Sequence, residues 1–338
     1  MMTALLGLVL LSFFVTSILI VPYIDLLFYL KRKFDKAVKN KTSADTPITD
    51  QLMKEDEATP SGGGVALIGV LVLLSLIFSL VAKNHDTKTL GIILFTLLSF
   101  GALGLVDDIR WLTTRRKGKL GGLGRRVLIL IQLVLAVIAA ALLYFIIGLN
   151  NIYIPIIGNL IIGLWYIPFA AFVIVSFANA YNISDGLDGL STGLLTICLF
   201  AFLALASTVL DVTLAAFIGI WIGALLAYLY FNVYPARIFL GDAGAFGFGA
   251  ALAVVGLLTG KIIGLAVIGG VYIIIVASSL IQILSKKLLK RKIFPVAPIH
   301  MYFKYIGWEE PKIVARFWLA GAIFAIFGLW LALLQPKI

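Results

Sequence analysis

The stretch VTLAAFIGIWIGALLAYLYF, residues 212–231, runs for twenty positions without a single charge. As an α-helix rising about 1.5 Å per residue it covers about 30 Å, the thickness of a bilayer's hydrocarbon core. A barrel strand would alternate apolar and polar residues over about ten positions, and this run does not alternate. Comparable runs fall at 3–30, 62–82, 90–106, 125–149, 161–180, 190–208, 244–260, 262–284 and 313–334. The expectation is an all-α integral membrane protein with ten transmembrane helices, forming a single domain over 1–338. The runs at 90–106 and 244–260 are short, and only Gly260 and Lys261 mark the turn before 262–284.

Composition agrees. Of 338 residues 62% are hydrophobic and 13% charged, with a mean hydropathy of +1.11; that apolar surface exceeds what one soluble core could bury. The loops 31–61, 107–126, 181–190, 232–243 and 285–312, with Arg316 just inside the last span, hold 23 of the 27 Lys and Arg. By the positive-inside rule these loops are cytoplasmic and both termini face out. The first run has no Lys or Arg before residue 31 and is longer than a signal-peptide core, so it reads as a retained span. The net charge of +11 is confined to loops beside spans. Topology and anionic lipid account for it, and nucleic acid is not expected as a partner. A lone Cys198 in mid-span leaves no intramolecular disulfide and no thiolate metal cluster, and the only histidines are His85 and His300. Between the outer ends of two spans, NNIYIPIIGNL (150–160) has the β-branched residues and turn formers of a small hairpin.

Polar chemistry concentrates on the inner side, where Asp107, Asp108, Asp185, Asp188 and Asp242 border apolar runs. Charge at such depth is costly and points to function. In GLVDDIR the adjacent Asp107 and Asp108 diverge by about 100° on a helix, so one works while the other supports, or both answer Arg110, Arg115 and Arg116 at the interface. In NAYNISDGLDGL, Asn179, Asn182, Asp185 and Asp188 recur every third position, as a helical stripe would, although Asn, Asp and Gly also end helices. Gly186 and Gly189 allow close approach of a ligand or another backbone. FNVYPARIFLGDAG sets Asn232 and Asp242 ten residues apart, with Asp242 at a helix start where it suits either an N-cap or a site for anionic chemistry. TPSGGG (59–64) offers backbone N–H groups that could cradle phosphate oxygens. The inner stretch 295–318 mixes aromatics, charge and His300, a histidine whose simplest reading is a solvated one.

Taken in order, these strings resemble the polyprenyl-phosphate N-acetylhexosamine-1-phosphate transferases over about residues 58–318. NISDGLDGLSTG, FNVYPARIFLGDAG and APIH followed by GWEEPKIVARFW carry the resemblance, and the last points to the muramoyl branch. The resemblance implies a Mg²⁺-dependent transfer of a sugar-1-phosphate from a UDP-sugar to polyprenyl phosphate at the bilayer. Asp107, Asp108, Asp242 and His300 would be catalytic, with Asp242 the Mg²⁺ ligand. Ser61, Asn179, Asn182, Asp185, Gly186, Leu187, Asp188, Asn232 and Phe239 would bind substrate, Phe239 beside the uracil. The partners implied are a UDP-sugar donor, the polyprenyl phosphate acceptor and the lipid bilayer, with a homodimer left open. Three features depart from the family pattern. His300-Met301-Tyr302 replaces three histidines, Asp56 and Glu57 precede the Pro/Gly string where basic residues are usual, and Gly121-Gly122 replaces a Lys-Gly step. They leave the metal site intact and bear on the donor, for which UDP-N-acetylglucosamine or a related sugar is the alternative. Intramembrane prenyltransferases also pair Asp-rich strings with Mg²⁺ diphosphates, but do not explain GDAG or GWEEPKIVARFW. A transporter would place its acids in mid-span instead.

Overall fold

The computed structural model describes residues 2–35, 59–82, 85–116, 122–208 and 211–334. Among them are twelve α-helices: α1 Met2–Asp35, α2 Gly63–Val81, α3 Thr87–Arg116, α4 Arg125–Leu142, α5 Tyr166–Ser184, α6 Leu190–Thr208, α7 Val212–Asn232, α8 Gly241–Leu258, α9 Ile262–Ile268, α10 Gly270–Leu288, α11 Ile299–Tyr305 and α12 Glu310–Leu333. Ten helices are long and apolar enough to cross a membrane, and the chain is a multi-pass membrane protein. Helices are the form these runs must take, because lipid offers no partner for an unpaired peptide group.

Burial divides the helices into a centre and a rim. In their most apolar windows α7 and α8 are 83% buried, whereas α1 is 22% and α4 and α12 are 28% buried. The rim exposes Leu10, Phe14, Ile18, Leu130, Val134, Ile323 and Ile326, as a lipid-facing surface would. The centre is knit by small residues. A Cβ at Gly223 of α7 would strike Ser12 and Phe13 of α1, and one at Gly249 of α8 would strike Phe177 and Ala178 of α5. Close helix approach of this kind is how apolar segments associate without a hydrophobic driving force.

Two expected boundaries shift. The run 262–284 is not one helix but α9 and α10, broken at Gly269, where a Cβ would collide with the Phe177 ring. The run 244–260 begins at Gly241, so Asp242 lies inside the first turn of α8. The hairpin is present as β1 Asn151–Ile154 and β2 Gly158–Ile161, antiparallel, with Asn151 opposite Ile161. It ties down one end of the bundle: the Tyr153 hydroxyl donates to the Leu334 carbonyl, and Lys261 Nζ sits 3.3 Å from the centre of the Tyr153 ring. The acidic strings gather at the opposite end. There Tyr23 of α1 donates to the Gly62 carbonyl at 2.9 Å and Lys31 to that of Thr59 at 2.9 Å.

Candidate active site

The site is built where the N-termini of α2 and α8 meet the far end of α3. Gly241 opens α8 at φ +79°, a backbone conformation that favours glycine. Asp242, the second residue of α8, neither caps its own helix nor faces solvent alone, because its carboxylate accepts from the Asn182 amide at 2.8 Å. The cap comes from α3. Asp108 accepts from the backbone N–H groups of Asp242 and Ala243, both at 3.2 Å, which binds a carboxylate to the positive end of the α8 dipole. Asp107 accepts from the Leu123 N–H and its carboxylate also lies within reach of the Asp242 carboxyl. Gly122 lies against the Asp107 carboxylate, and a Cβ there would push it aside.

Asp242 lies within electrostatic range of both Asp108 and Asp107, and Asp185 within range of Asp108. Four acids from three distant strings therefore share one neighbourhood. Burial pushes the Asp185 carboxyl up to about 6, against a hydrogen bond from Ser191 that lowers it, and the Asp108 charge raises it further.

The expected helical stripe from Asn179 to Asp188 does not exist as one face. Helix α5 stops at Ser184, and 185–189 form a turn with Gly189 at φ +75°. Asn179 and Asn182 remain on α5, where Asn179 donates to Gln132 of α4 at 2.7 Å and to the Val175 carbonyl at 2.8 Å. Past the helix end Asp188 turns the other way, accepting from the Ala236 N–H at 2.8 Å while its own N–H donates to Glu310 at 2.7 Å. Leu187 is buried in the core. Asn232 is buried too, its carbonyl accepting from Thr192 and its amide donating to the Ile238 carbonyl, each at 3.0 Å, so it braces the turn that delivers Phe239 and Asp242.

TPSGGG does not offer its N–H groups to a ligand. Those of Gly62 and Gly63 donate to the Phe239 carbonyl at 3.1 and 2.9 Å, and that of Gly64 to Leu240 at 2.8 Å. Its glycines serve packing: a Cβ on Gly64 would overlap the Gly244 backbone. Ser61 remains exposed at this edge, bridged to half-buried Phe239. His300 corrects the expectation of a solvated ring. It is buried on α11, its Nε2 lies 2.9 Å from where a Gly186 Cβ would be, and Nδ1 has no hydrogen-bond partner among the described residues. Burial pushes it down to about 3, so the ring is neutral.

Sequence reasoning missed Ser191, Thr192, Gln132, Lys304 and Glu310 as parts of this end of the molecule. Glu310 left a readable trace, an acid followed by Pro at a helix start. Lys54, Asp56, Glu57 and Gly121 lie outside the described residues.

Residues 90–260 match glycosyl transferase family 4. A phospho-N-acetylmuramoyl-pentapeptide-transferase of Borrelia hermsii is 34% identical over 308 residues, covering 83% of this chain and 86% of that one. The chain belongs to this transferase family. A second relative of the same name, from Chloroflexus aggregans, is 37% identical over 290 residues, covering 82% of this chain and 77% of its own. Carboxylate and amide oxygens are the donors a hard cation takes. Magnesium in particular is held by one or two carboxylates completed by substrate phosphates and water. Asp242, oriented by Asn182, fits that pattern. Among the described residues no three His, Cys, Asp or Glu side chains form a protein-only cage.

Proposed function

We propose that the protein transfers phospho-N-acetylmuramoyl-pentapeptide from its UDP derivative to polyprenyl phosphate, releasing UMP and forming lipid I for peptidoglycan synthesis. The observation that carries this reading is the convergence of Asp108, Asp185 and Asp242 at the start of α8. The names of the 34–37% identical relatives supply the substrates.

In the reaction an oxygen of the lipid phosphate attacks the sugar-linked phosphorus. The bond from that phosphorus to the bridging oxygen breaks, and UMP leaves with the oxygen. Both reactants are anions, so positioning and charge neutralisation dominate the barrier. Mg²⁺ bound at Asp242 would supply that neutralisation. Asn182 holds the Asp242 carboxylate in one orientation. Asp108 fixes the α8 N-terminus through two backbone N–H groups; Asp107, held by one, would orient the lipid phosphate and take its proton when it arrives protonated. The turn at 185–188 and Phe239 would receive the nucleotide end. His300, kept neutral, adjoins this turn as a hydrogen-bonding group rather than a cation. The tail would lie along lipid-facing grooves, since about 0.8 kcal/mol per buried CH₂ holds it in the membrane.

By sequence, 22 of the 27 basic residues fall in the same set of inter-span segments as the acidic strings, with Arg316 just inside the last span, which supports a bacterial cytoplasmic membrane location with the site facing the cytoplasm. A second reading, with UDP-N-acetylglucosamine as donor, is favoured by Met301 and Tyr302 replacing two histidines. Purified protein given polyprenyl phosphate, Mg²⁺ and either donor decides between them. UMP release from the muramoyl-pentapeptide donor is expected, and release from UDP-N-acetylglucosamine alone would overturn the first reading.

A further inference from the structure

We propose that Glu310 is the positioning residue for the sugar-nucleotide half of the site, acting through the turn at 185–189; this rests on the transferase reading, in which that turn receives the donor. Glu310 is the first residue of α12 and is 6% exposed. One carboxylate oxygen accepts from the Asp188 N–H at 2.7 Å and the other from Lys304 Nζ of α11 at 2.7 Å.

Its reach extends beyond that pair. The Asp188 carboxylate accepts from the Ala236 N–H at 2.8 Å, and the Ala236 carbonyl accepts from the Thr59 hydroxyl at 3.0 Å. Segments around 59, 188, 236 and 310, none adjacent in sequence, are thus joined in one chain of hydrogen bonds. The turn has no helical ladder of its own after Ser184. Local bonds close it at either side, Asp185 N–H to the Asn182 carbonyl and Leu190 N–H to that of Leu187, and Glu310 grips its backbone from outside at Asp188, next to Asp185, Gly186 and Leu187.

A purely structural role would not call for a charge there. A buried ion pair is generally no more stabilising than apolar residues of the same volume, because both ions must be stripped of water. What apolar residues cannot do is accept from the Asp188 N–H, and a charged acceptor makes the stronger bond. The pair therefore fixes one backbone atom of the turn. His300, two residues into α11, packs on Gly186 of the same turn. Lys304 and Glu310 thus set the register between α11 and the segment its histidine touches.

The test is steady-state kinetics of Glu310→Ala, Glu310→Asp and Glu310→Gln, with KM measured separately for the UDP donor and the lipid, and Kd for UDP measured without lipid. Glu310→Ala should raise donor KM and UDP Kd by about tenfold or more while leaving lipid KM within about twofold. Glu310→Asp keeps the charge but is one methylene too short for both partners, and should shift the same two constants by about fivefold. Glu310→Gln retains an acceptor oxygen for Asp188 and should recover to within about threefold of the parent. Should Glu310→Ala fail to fold, the Glu310→Asp constants decide. Unchanged UDP Kd, or equal losses on both substrates, overturns the proposal. A parent protein that releases UMP from neither donor would sink the transferase reading instead, so the two failures are told apart.

Discussion

Helices α2 and α8 begin side by side, with Gly64 against Gly244, yet their first N–H groups are satisfied differently. Those of α2 go to carbonyls of Phe239 and Leu240; two of those of α8 go to the Asp108 carboxylate. A carbonyl cap is neutral and merely fastens two segments together. A carboxylate cap draws a charge to a helix end that already bears Asp242, and it holds two acids close at the cost of their repulsion. The α2 start is fastened by neutral groups, and the α8 start gathers charge.

That contrast is open to direct attack. Asp242→Ala should abolish Mg²⁺-dependent UMP release, a loss of about 10³-fold or more, while thermal unfolding stays close to that of the parent; retained activity would return α8 to the status of α2. Asp107→Asn and Asp108→Asn should each cost on the order of 10²-fold in kcat/KM, unequally. Only Asp108→Asn should also lower Tm, since an amide presents its NH₂ to one of the two N–H groups it must accept. On the α2 side Gly64→Ala should destabilise by about 1–3 kcal/mol through overpacking against Gly244, read as a lowered Tm with donor KM little changed in the folded fraction. The smallest effect concerns pH. Asp185 is raised from an ordinary 3.8 to about 6, so the folded protein holds the extra proton between roughly pH 4 and 6. Stability contributed by the neutral acid is complete below that window and lost as pH rises through it. Asp185→Asn should flatten this slope, read as a smaller difference in Tm between about pH 4 and about pH 7 than in the parent.

The membrane architecture was legible because bilayer thickness imposes run length, and a run such as 212–231 admits no other reading. Boundaries were less so. The run 262–284 is interrupted at Gly269, whose missing side chain leaves room for the Phe177 ring, a contact between residues 92 positions apart that no window of sequence displays. The acids were found from their types and placement, but their partners were not. Asp188 shares the spacing of Asn182 and Asp185, and spacing says nothing of where α5 stops. TPSGGG looked like a phosphate cradle because its N–H groups are locally unclaimed, and their claimant, Phe239, lies far along the chain. Glu310 went unnoticed because an acid before Pro at a helix start is ordinary, and only the fold shows it buried.

The hydrogen bonds from Asp242 and Ala243 to Asp108 bridge about 134 residues, and that from Asp188 to Glu310 bridges 122. A ribosome must thread about 134 further residues after Asp108, and 122 after Asp188, before these partners can meet. A chain that has inserted Asp108 but not yet α8 carries a carboxylate whose two N–H partners do not yet exist, so that end of the bundle closes only when distant segments have been brought together.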